Sequence, residues 1–217
     1  MMDFDDVVLR RHSSRMFLPD KPVPQELLQE ALSLAMRAPS NSNVQPWRVF
    51  LTSGARRERL GAALAKQVRT TPPPNLGLPD SHSHLRRELG ALLYGAMGVA
   101  RDDSEGRWTA QLRNWDFFHA PVAGIVCMHR DLGLPDAIGV GMFLQTLLLA
   151  LTERGLDSCV QVSTALYPDV VREQLDIPDD LTVLCGICIG YADPAFPANS
   201  INTPRNPVTA NVVFLED

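Results

Sequence analysis

The chain has 217 residues, of which 45% are hydrophobic and 21% are charged, and its formal net charge is -5. These values fit one large globular domain or two small ones, and the negative balance argues against a nucleic-acid-binding protein. The first residues lack the basic and apolar regions of a signal peptide. The longest apolar run contains Gln145 and Thr146, so we predict a cytoplasmic protein without a membrane span.

The first half of the chain contains mainly helical patterns. Apolar residues at helical spacing, punctuated by proline and glycine, predict helices over 23–38, 55–68, 85–100 and 105–118. The segment 47–53 has the β-branched and aromatic composition of a strand. The proline-rich segment 69–84 predicts a loop or a lid.

The second half mixes strands and helices without a strict βαβ rhythm, which favours an α+β fold. Strands are predicted over 120–129, 157–164 and 180–192, and helices over 135–155 and 167–176. The helix over 135–155 is apolar almost all round, which predicts burial in a core or a subunit interface. The proline-containing tail 193–217 ends in a possible edge strand at 211–217.

The four cysteines do not form a convincing metal or redox motif. Cys185 and Cys188 match the spacing CxxC, but they lie in a predicted buried strand and would point to opposite faces of the sheet. We interpret them as small buried apolar residues. His82 and His84 lack further residues at metal-ligand spacing, so no metal site is predicted.

A basic cluster near the amino terminus is the first candidate site. Arg10, Arg11 and Arg15 lie beside Ser13, and guanidinium and hydroxyl groups suit a phosphate. Arg205 lies in the extended tail. A solvated basic face remains an alternative for this pattern.

The loop "APSNSNVQPW" over 38–47 is the second candidate site. Its Ser, Asn and Gln side chains could cap a helix and form turns. Side-chain amides also offer both donors and acceptors, as the pyrimidine end of a flavin requires. Since GxSxG, HExxH, the P-loop and GxGxxG are all absent from the sequence, neither a common hydrolase site nor a Rossmann site is predicted.

Segments spread over nearly the whole chain resemble the nitroreductase family of flavin enzymes. The similar segments occur in the family order, at 10–17, 37–50, 113–127, 141–161 and 185–199, with "TPR" at 203–205. The combination is most similar to the branch that includes 4-nitrobenzoate reductases.

The resemblance implies a single nitroreductase-like FMN-binding domain over 1–217 with an α+β fold. A central, mostly antiparallel sheet would be flanked by helices, and two copies would form an intertwined homodimer. The tail 193–217 would reach the partner subunit, and the long helix near 135–154 would lie in the dimer core.

The resemblance also implies a set of cofactor-binding residues. Arg11 and Ser13, with His12 between them, would contact the FMN phosphate and ribityl chain, and Arg15 would lie near the flavin N1 and C2 carbonyl. A second phosphate contact would come from the tail, and the pyrimidine and N5 edges would be met by segments farther along the chain. These further residues are Arg205, Asn114, Gln161, Val162 and Ser163, and the loop covering the flavin from the partner subunit contributes Pro39, Ser40, Asn43 and Gln45.

The implied activity is two-electron, ping-pong hydride transfer from NADH or NADPH to a nitroaromatic or quinone-type acceptor. The flavin carries this chemistry, so no catalytic side chain is required. Azoline oxidation, dehalogenation, flavin breakdown and non-catalytic FMN storage remain alternatives. Thr203 stands where many family members have lysine, and 69–84 lacks the aromatic residues expected beside the substrate. The acceptor, the preferred nicotinamide nucleotide and the role of Asn114 stay open.

Overall fold

The chain folds around a single antiparallel sheet, as a computed structural model of residues 2–74 and 77–215 describes it. The described residues form seven α-helices, which are α1 Phe4–Arg10, α2 Gln25–Ala35, α3 Gly54–Thr70, α4 Asp80–Ala96, α5 Ser104–Leu112, α6 Leu134–Glu153 and α7 Pro168–Leu175. The strands are β1 Trp47–Ser53, β2 Val122–His129, β3 Asp157–Gln161 and β4 Leu181–Gly190. The α+β prediction is confirmed.

The strand order is β1-β2-β4-β3, and every neighbouring pair is antiparallel. β2 is paired on both sides and is buried along nearly its whole length, which explains its continuous apolar sequence. A register shift between Val126 and Cys127 interrupts the pairing of β2 with β4. β1 and β3 therefore form the two edges of the four strands.

Each face of the sheet carries its own hydrophobic cluster. α3 and α7 cover one face, where Ile125 and Cys188 are buried, and α2 and α6 cover the other, where Val126 and Cys185 are buried. Cys185 and Cys188 thus lie in opposite clusters, as their spacing on a strand predicted.

The long apolar helix α6 is only partly covered within one chain. Phe143, Leu147 and Leu151 are buried on the face toward the sheet and α2, whereas Leu134 is 84% exposed and Ile138 is 64% exposed. Among the described residues, α6 is long and apolar enough to cross a membrane, with a mean hydropathy of 1.6. Core helices share this property, and its buried face packs against the rest of the fold. The predicted helix is confirmed, but it is not buried on all sides in one chain.

Glycine and proline set the limits of α6. Pro135 stands in the first turn, where its missing N–H is not needed, and the Asp136 carboxylate accepts a hydrogen bond from the Gly133 N–H at 3.1 Å. The helix ends before Gly155, whose φ of +71° is left-handed and favours glycine.

Three predicted segments differ from the structure. Residues 80–84, predicted as loop, form the first turn of α4, while 75–76 lie outside the described residues. The helix predicted over 105–118 ends at Leu112 and continues as a 3₁₀ segment, Arg113–His119. The strand predicted over 157–164 ends at Gln161.

The two ends of the chain also differ from prediction. α1 was not predicted, because it has only seven residues and buries only Val7, so its helical pattern is short. Residues 211–215, within the edge strand predicted over 211–217, pair with none of the described strands of the same chain, so the predicted pairing with a partner chain stays a prediction. Residues 216–217 lie outside the described residues.

Candidate functional site

The basic segment after α1 lies along the free edge of β3. Ser13 forms a parallel bridge with Ser158, and the Ser14 N–H donates to the Ser158 carbonyl at 3.1 Å. Ser14 is fully buried, while Arg11 and Arg15 are half-buried beside the Cys159 thiol. This pairing fixes the backbone from which both guanidinium groups project.

Three arginines gather at this edge without an acidic partner. None of the ion pairs among residues 2–74 and 77–215 involves Arg11, Arg15 or Arg205. The Arg15 Nη1 donates to the Ser13 carbonyl at 3.1 Å, and the Arg205 Nη1 donates to the Thr203 carbonyl at 2.9 Å. Burial, and then the nearby Arg205 guanidinium, lower the pKa of Arg11. Gathered cations of this kind suit an anion, and guanidinium forks match phosphate oxygens.

The segment at the end of β3 lies next to the 3₁₀ segment that holds Asn114. The Gln161 side chain is 3% exposed, and its Nε2 donates to the Asn114 carbonyl at 2.8 Å. Its Oε1 accepts from the Cys188 Sγ–H at 2.8 Å. The Gln161 amide is thus bonded inside the protein at both ends and fixes the backbone around it.

The two residues after Gln161 are placed differently. Val162 is 62% exposed, whereas the hydroxyl oxygen of Ser163 is buried and has no hydrogen-bond partner among the described residues. An unsatisfied buried hydroxyl is costly, and a polar ligand edge would satisfy it. The Asn114 Nδ2 donates to the Gln111 carbonyl at 2.9 Å, which leaves its Oδ1 for another partner.

His12 lies beside these groups and is tied to the same edge. Its Nδ1 lies 2.9 Å from the Arg10 carbonyl, and its Nε2 lies 3.4 Å from the Ser14 Oγ. The Ser14 hydroxyl is also 3.4 Å from a carboxylate oxygen of Asp157. The histidine ring therefore contacts the backbone and buried polar groups of the arginine segment.

The second candidate, the loop over 38–47, has an unusual backbone. Ser42, Asn43 and Gln45 have positive φ angles of 46°, 57° and 50°. The Ser40 Oγ accepts from the Gln45 N–H at 3.0 Å, so part of the loop's polarity stabilises its own turn. The Asn43 side chain is exposed.

Gly139 of α6 allows this loop to lie close to the helix. A Cβ at Gly139 would lie 3.1 Å from the Cβ of Ser40 and 3.4 Å from the ring of Pro46. Any larger residue would push the loop away. Because Gly139 lies in the amino-terminal half of α6, this contact places the loop, including Pro39 just before Ser40, beside that half of the helix.

The structure does not bring the two candidate regions together within one chain. Trp47, the last residue of the loop, pairs with Met128, which in turn pairs with Thr182 of β4. Ser158, beside the arginine segment, pairs with Ile189 at the other end of β4. The seven residue steps from Thr182 to Ile189 span about 23 Å of extended strand. The loop and the arginines therefore lie at opposite ends of the sheet.

The residues at the β3 edge fit a cofactor with a phosphate group and a polar aromatic ring. The guanidinium groups of Arg11 and Arg205, which form no ion pair among the described residues, suit the phosphate, and the Arg15 guanidinium and the unsatisfied Ser163 hydroxyl suit a polar ring edge. Two residues that shape this region, Cys188 and Asn199, were not predicted as site residues. Both lie within the recognised segment 185–199, but their contacts depend on tertiary structure.

Known proteins are similar to this chain over most of its length. The model of the "Nitroreductase family" matches residues 8–191. The chain is 38% identical to a 4-nitrobenzoate reductase of Nocardioides sp. (strain LMS-CY), over 99% of this chain and 90% of the relative. It is 36% identical to a 4-nitrobenzoate reductase of Pseudomonas putida, over 94% of this chain and 91% of the relative.

Solved structures show the same similarity. The FMN-dependent nitroreductase NfnB from Mycobacterium smegmatis, in complex with NADPH, has a TM-score of 0.91 and 32% identity, covering 98% of this chain and 97% of that one. The FMN- and NADPH-dependent nitroreductase NfnB from "sphigopyxis sp. strain HMH" has a TM-score of 0.95 and 32% identity, with 100% of both chains covered.

Proposed function

Because the chain belongs to the nitroreductase family, we propose that it is an FMN-dependent NAD(P)H oxidoreductase that reduces nitroaromatic or quinone-type acceptors. The observation that carries this proposal is the gathering of Arg11, Arg15 and Arg205 at β3, together with the unsatisfied Ser163 hydroxyl two residues after the end of the same strand. The names of the relatives support a nitroaromatic acceptor, since two of them are 4-nitrobenzoate reductases.

The phosphate of FMN would be held by Arg11, Ser13 and Arg205. Guanidinium groups bind phosphate through paired N–H donors, and the serine hydroxyl adds one more. His12 supports this segment from its contacts with the Arg10 carbonyl and Ser14.

The ring of FMN would lie along the end of β3. Arg15 would place a positive charge near N1 and the C2 carbonyl, and Ser163, Val162 and the Gln161 backbone would line the N5 and O4 edge. The free Oδ1 of Asn114 would meet the pyrimidine edge. Bound FMN would supply hydride transfer in alternating reactions with NAD(P)H and the acceptor. The protein's own groups would bind and orient the reactants, which explains why no nucleophile or general acid was predicted.

We also propose that the active form is a homodimer of single-domain subunits. The loop residues Pro39, Ser40, Asn43 and Gln45 would cover the flavin bound to the partner's arginines. Exposed apolar residues support such an interface, including Leu9 of α1, Ile138 of α6 and Phe214 of the tail. The tail 193–217 would pair with the partner chain, which would explain its apolar end. A cytoplasmic location, without nucleic-acid partners, fits the acidic composition.

Absorbance of the purified protein tests this function directly. The protein should bind FMN, its flavin absorbance should bleach with NADPH or NADH under anaerobic conditions, and 4-nitrobenzoate should restore the colour. Flavin that bleaches but is not reoxidised by any nitroaromatic or quinone would point to another reaction of the same fold. A protein that binds no added FMN would contradict the proposal.

A further inference from the structure

Asn199 joins the arginine segment to the carboxy-terminal tail through its side-chain amide. The Asn199 Oδ1 accepts a hydrogen bond from the Arg15 N–H at 2.7 Å. Its Nδ2 donates to the Met16 carbonyl at 2.8 Å and to the Asp193 carbonyl at 3.0 Å. The one side chain therefore uses its acceptor and both donor directions on three backbone groups.

The Asn199 side-chain amide bonds the backbone at Arg15 and Met16, where the pairing between the arginine segment and the tail ends. Phe17 bridges Ala192 in antiparallel pairing, and the Asp193 N–H donates to the Met16 carbonyl at 3.0 Å. Pro194 follows, so the tail cannot continue this pairing as far as Arg15. The Asn199 amide supplies the contact that the next residues of a strand would have made.

The position of Asn199 in the chain links it to the gathered arginines. Arg15 is bonded to it directly, and Arg205 follows it by six residues along the tail. After burial, the nearby Arg205 guanidinium is the next cause that lowers the pKa of Arg11, so the two side chains lie near each other. The tail between Asn199 and Arg205 thus starts from a point fixed against the arginine segment.

We propose that Asn199 is a positioning residue that sets the placement of Arg205 relative to Arg11 and Arg15, and through Arg205 the affinity for FMN. This inference rests on the proposed function, because it assigns a role at the same site. Asn199 is not proposed to touch the cofactor. A residue that only anchored the tail would affect stability without depending on Arg205.

Affinity for FMN separates these two roles. Asn199→Ala should raise the FMN dissociation constant roughly tenfold. The misplaced Arg205 side chain would then lose binding free energy about equal to the net contribution of one hydrogen bond. Asn199→Asp keeps the acceptor for the Arg15 N–H but faces two carbonyl oxygens with a carboxylate, so it should weaken binding at least as much. Ser200→Ala is the matched control, because its hydroxyl bonds only to the Pro197 carbonyl of the same turn at 2.8 Å.

A double-mutant cycle with Arg205→Gln provides the decisive comparison. If Asn199 acts through Arg205, adding Asn199→Ala to Arg205→Gln should weaken FMN binding by much less than it does in the native background. Equal losses in both backgrounds, or native FMN affinity in either Asn199 variant, would overturn the proposal.

Hydrogen exchange of the cofactor-free protein tests the inference without FMN. Asn199→Ala should increase deuterium uptake in peptides covering 14–18 and 200–207, while Ser200→Ala should leave both unchanged. Unchanged uptake in Asn199→Ala would overturn the proposal even if the native protein binds FMN normally. Increased uptake in a protein that binds no FMN would retain the structural link and instead refute the proposed function.

Discussion

Among single residues, Arg15 is the one that we propose to affect the electronic properties of a bound flavin. Its backbone N–H is held by Asn199 and its guanidinium by the Ser13 carbonyl, so the side chain is oriented before any ligand arrives. A fixed positive charge beside a ring that gains electron density stabilises that charge without reorganisation.

Arg15→Ala should therefore slow flavin reduction by NAD(P)H by roughly tenfold to a hundredfold, with FMN still bound. Stopped-flow absorbance measures the reduction rate, and gel filtration measures whether the variant keeps the oligomeric state of the native protein. Arg10→Ala is a suitable control, because that side chain lies at the exposed end of α1 and bonds the Met2 sulfur. A native reduction rate in Arg15→Ala with FMN bound would remove this role.

The buried thiols make a second prediction at this scale. Burial raises the pKa of Cys159 and of Cys185 from 9.0 to about 11, and that of Cys127 from 9.0 to about 12. Since thiolate is the reactive form, alkylation of the native protein at pH 8 should be slow and should follow unfolding.

The same shifts predict how stability depends on pH. The folded state keeps these thiols protonated where the unfolded chain releases its protons, so their stabilising contribution is complete below pH 9. The free energy of unfolding should then fall as pH rises from 9 toward 11. Urea titrations at several pH values would measure it, and a constant midpoint over this range would contradict the assignment.

At the scale of elements, the loop over 38–47 combines strain with exposure. Asn43 adopts a left-handed φ of 57°, which asparagine tolerates better than alanine does. A substitution at this position therefore changes both the backbone strain and the side-chain contact, and two variants are needed to separate them.

Asn43→Ala and Asn43→Gly should weaken FMN binding by similar factors, because both remove the side-chain amide. Only Asn43→Ala should also lower the melting temperature of the cofactor-free protein, since glycine accepts positive φ without cost, whereas alanine costs about 1 kcal/mol. Native FMN affinity in Asn43→Gly would return the loop to a turn-forming role alone.

The sequence predicted elements well where the core determines them. The sheet, α2, α3, α6 and α7 all follow apolar periodicity and are buried where it indicated. α4 was harder, because none of its described residues is fully buried and its first turn, after Pro79, is rich in serine and histidine. The tail residues 211–215 have strand-like composition but no partner strand in the chain.

The 3₁₀ segment near the site could not be predicted from local propensity. Phe117, Phe118 and His119 have positive φ angles of 49°, 52° and 62°, which their residue types disfavour. Tertiary contacts hold them, since Asp116 just before them pairs with Arg57 of α3 at 3.0 Å. The backbone that presents Asn114 therefore depends on a helix distant in sequence.

For the whole molecule, the recognised segments were a better guide than residue patterns alone. Arginine spacing left a solvated basic face open, and only the fold showed Arg11 and Arg205 coming together across the chain. The placement of Asn199 and of the Gln161 amide required the packed structure, because each bonds to backbone groups far away in sequence.

In the proposed homodimer, the separation of the loop from the arginines within one chain, about 23 Å along β4, would allow genetic complementation between two defective copies. One copy would carry Arg205→Gln and the other Asn43→Gly, and mixed dimers would be isolated with two affinity tags. In a mixed dimer both lesions would fall in one site and leave the other intact, so about half of the native turnover per dimer should return. Each subunit would then hold the arginines of one site and the covering loop of the other, and two defective alleles could together support activity.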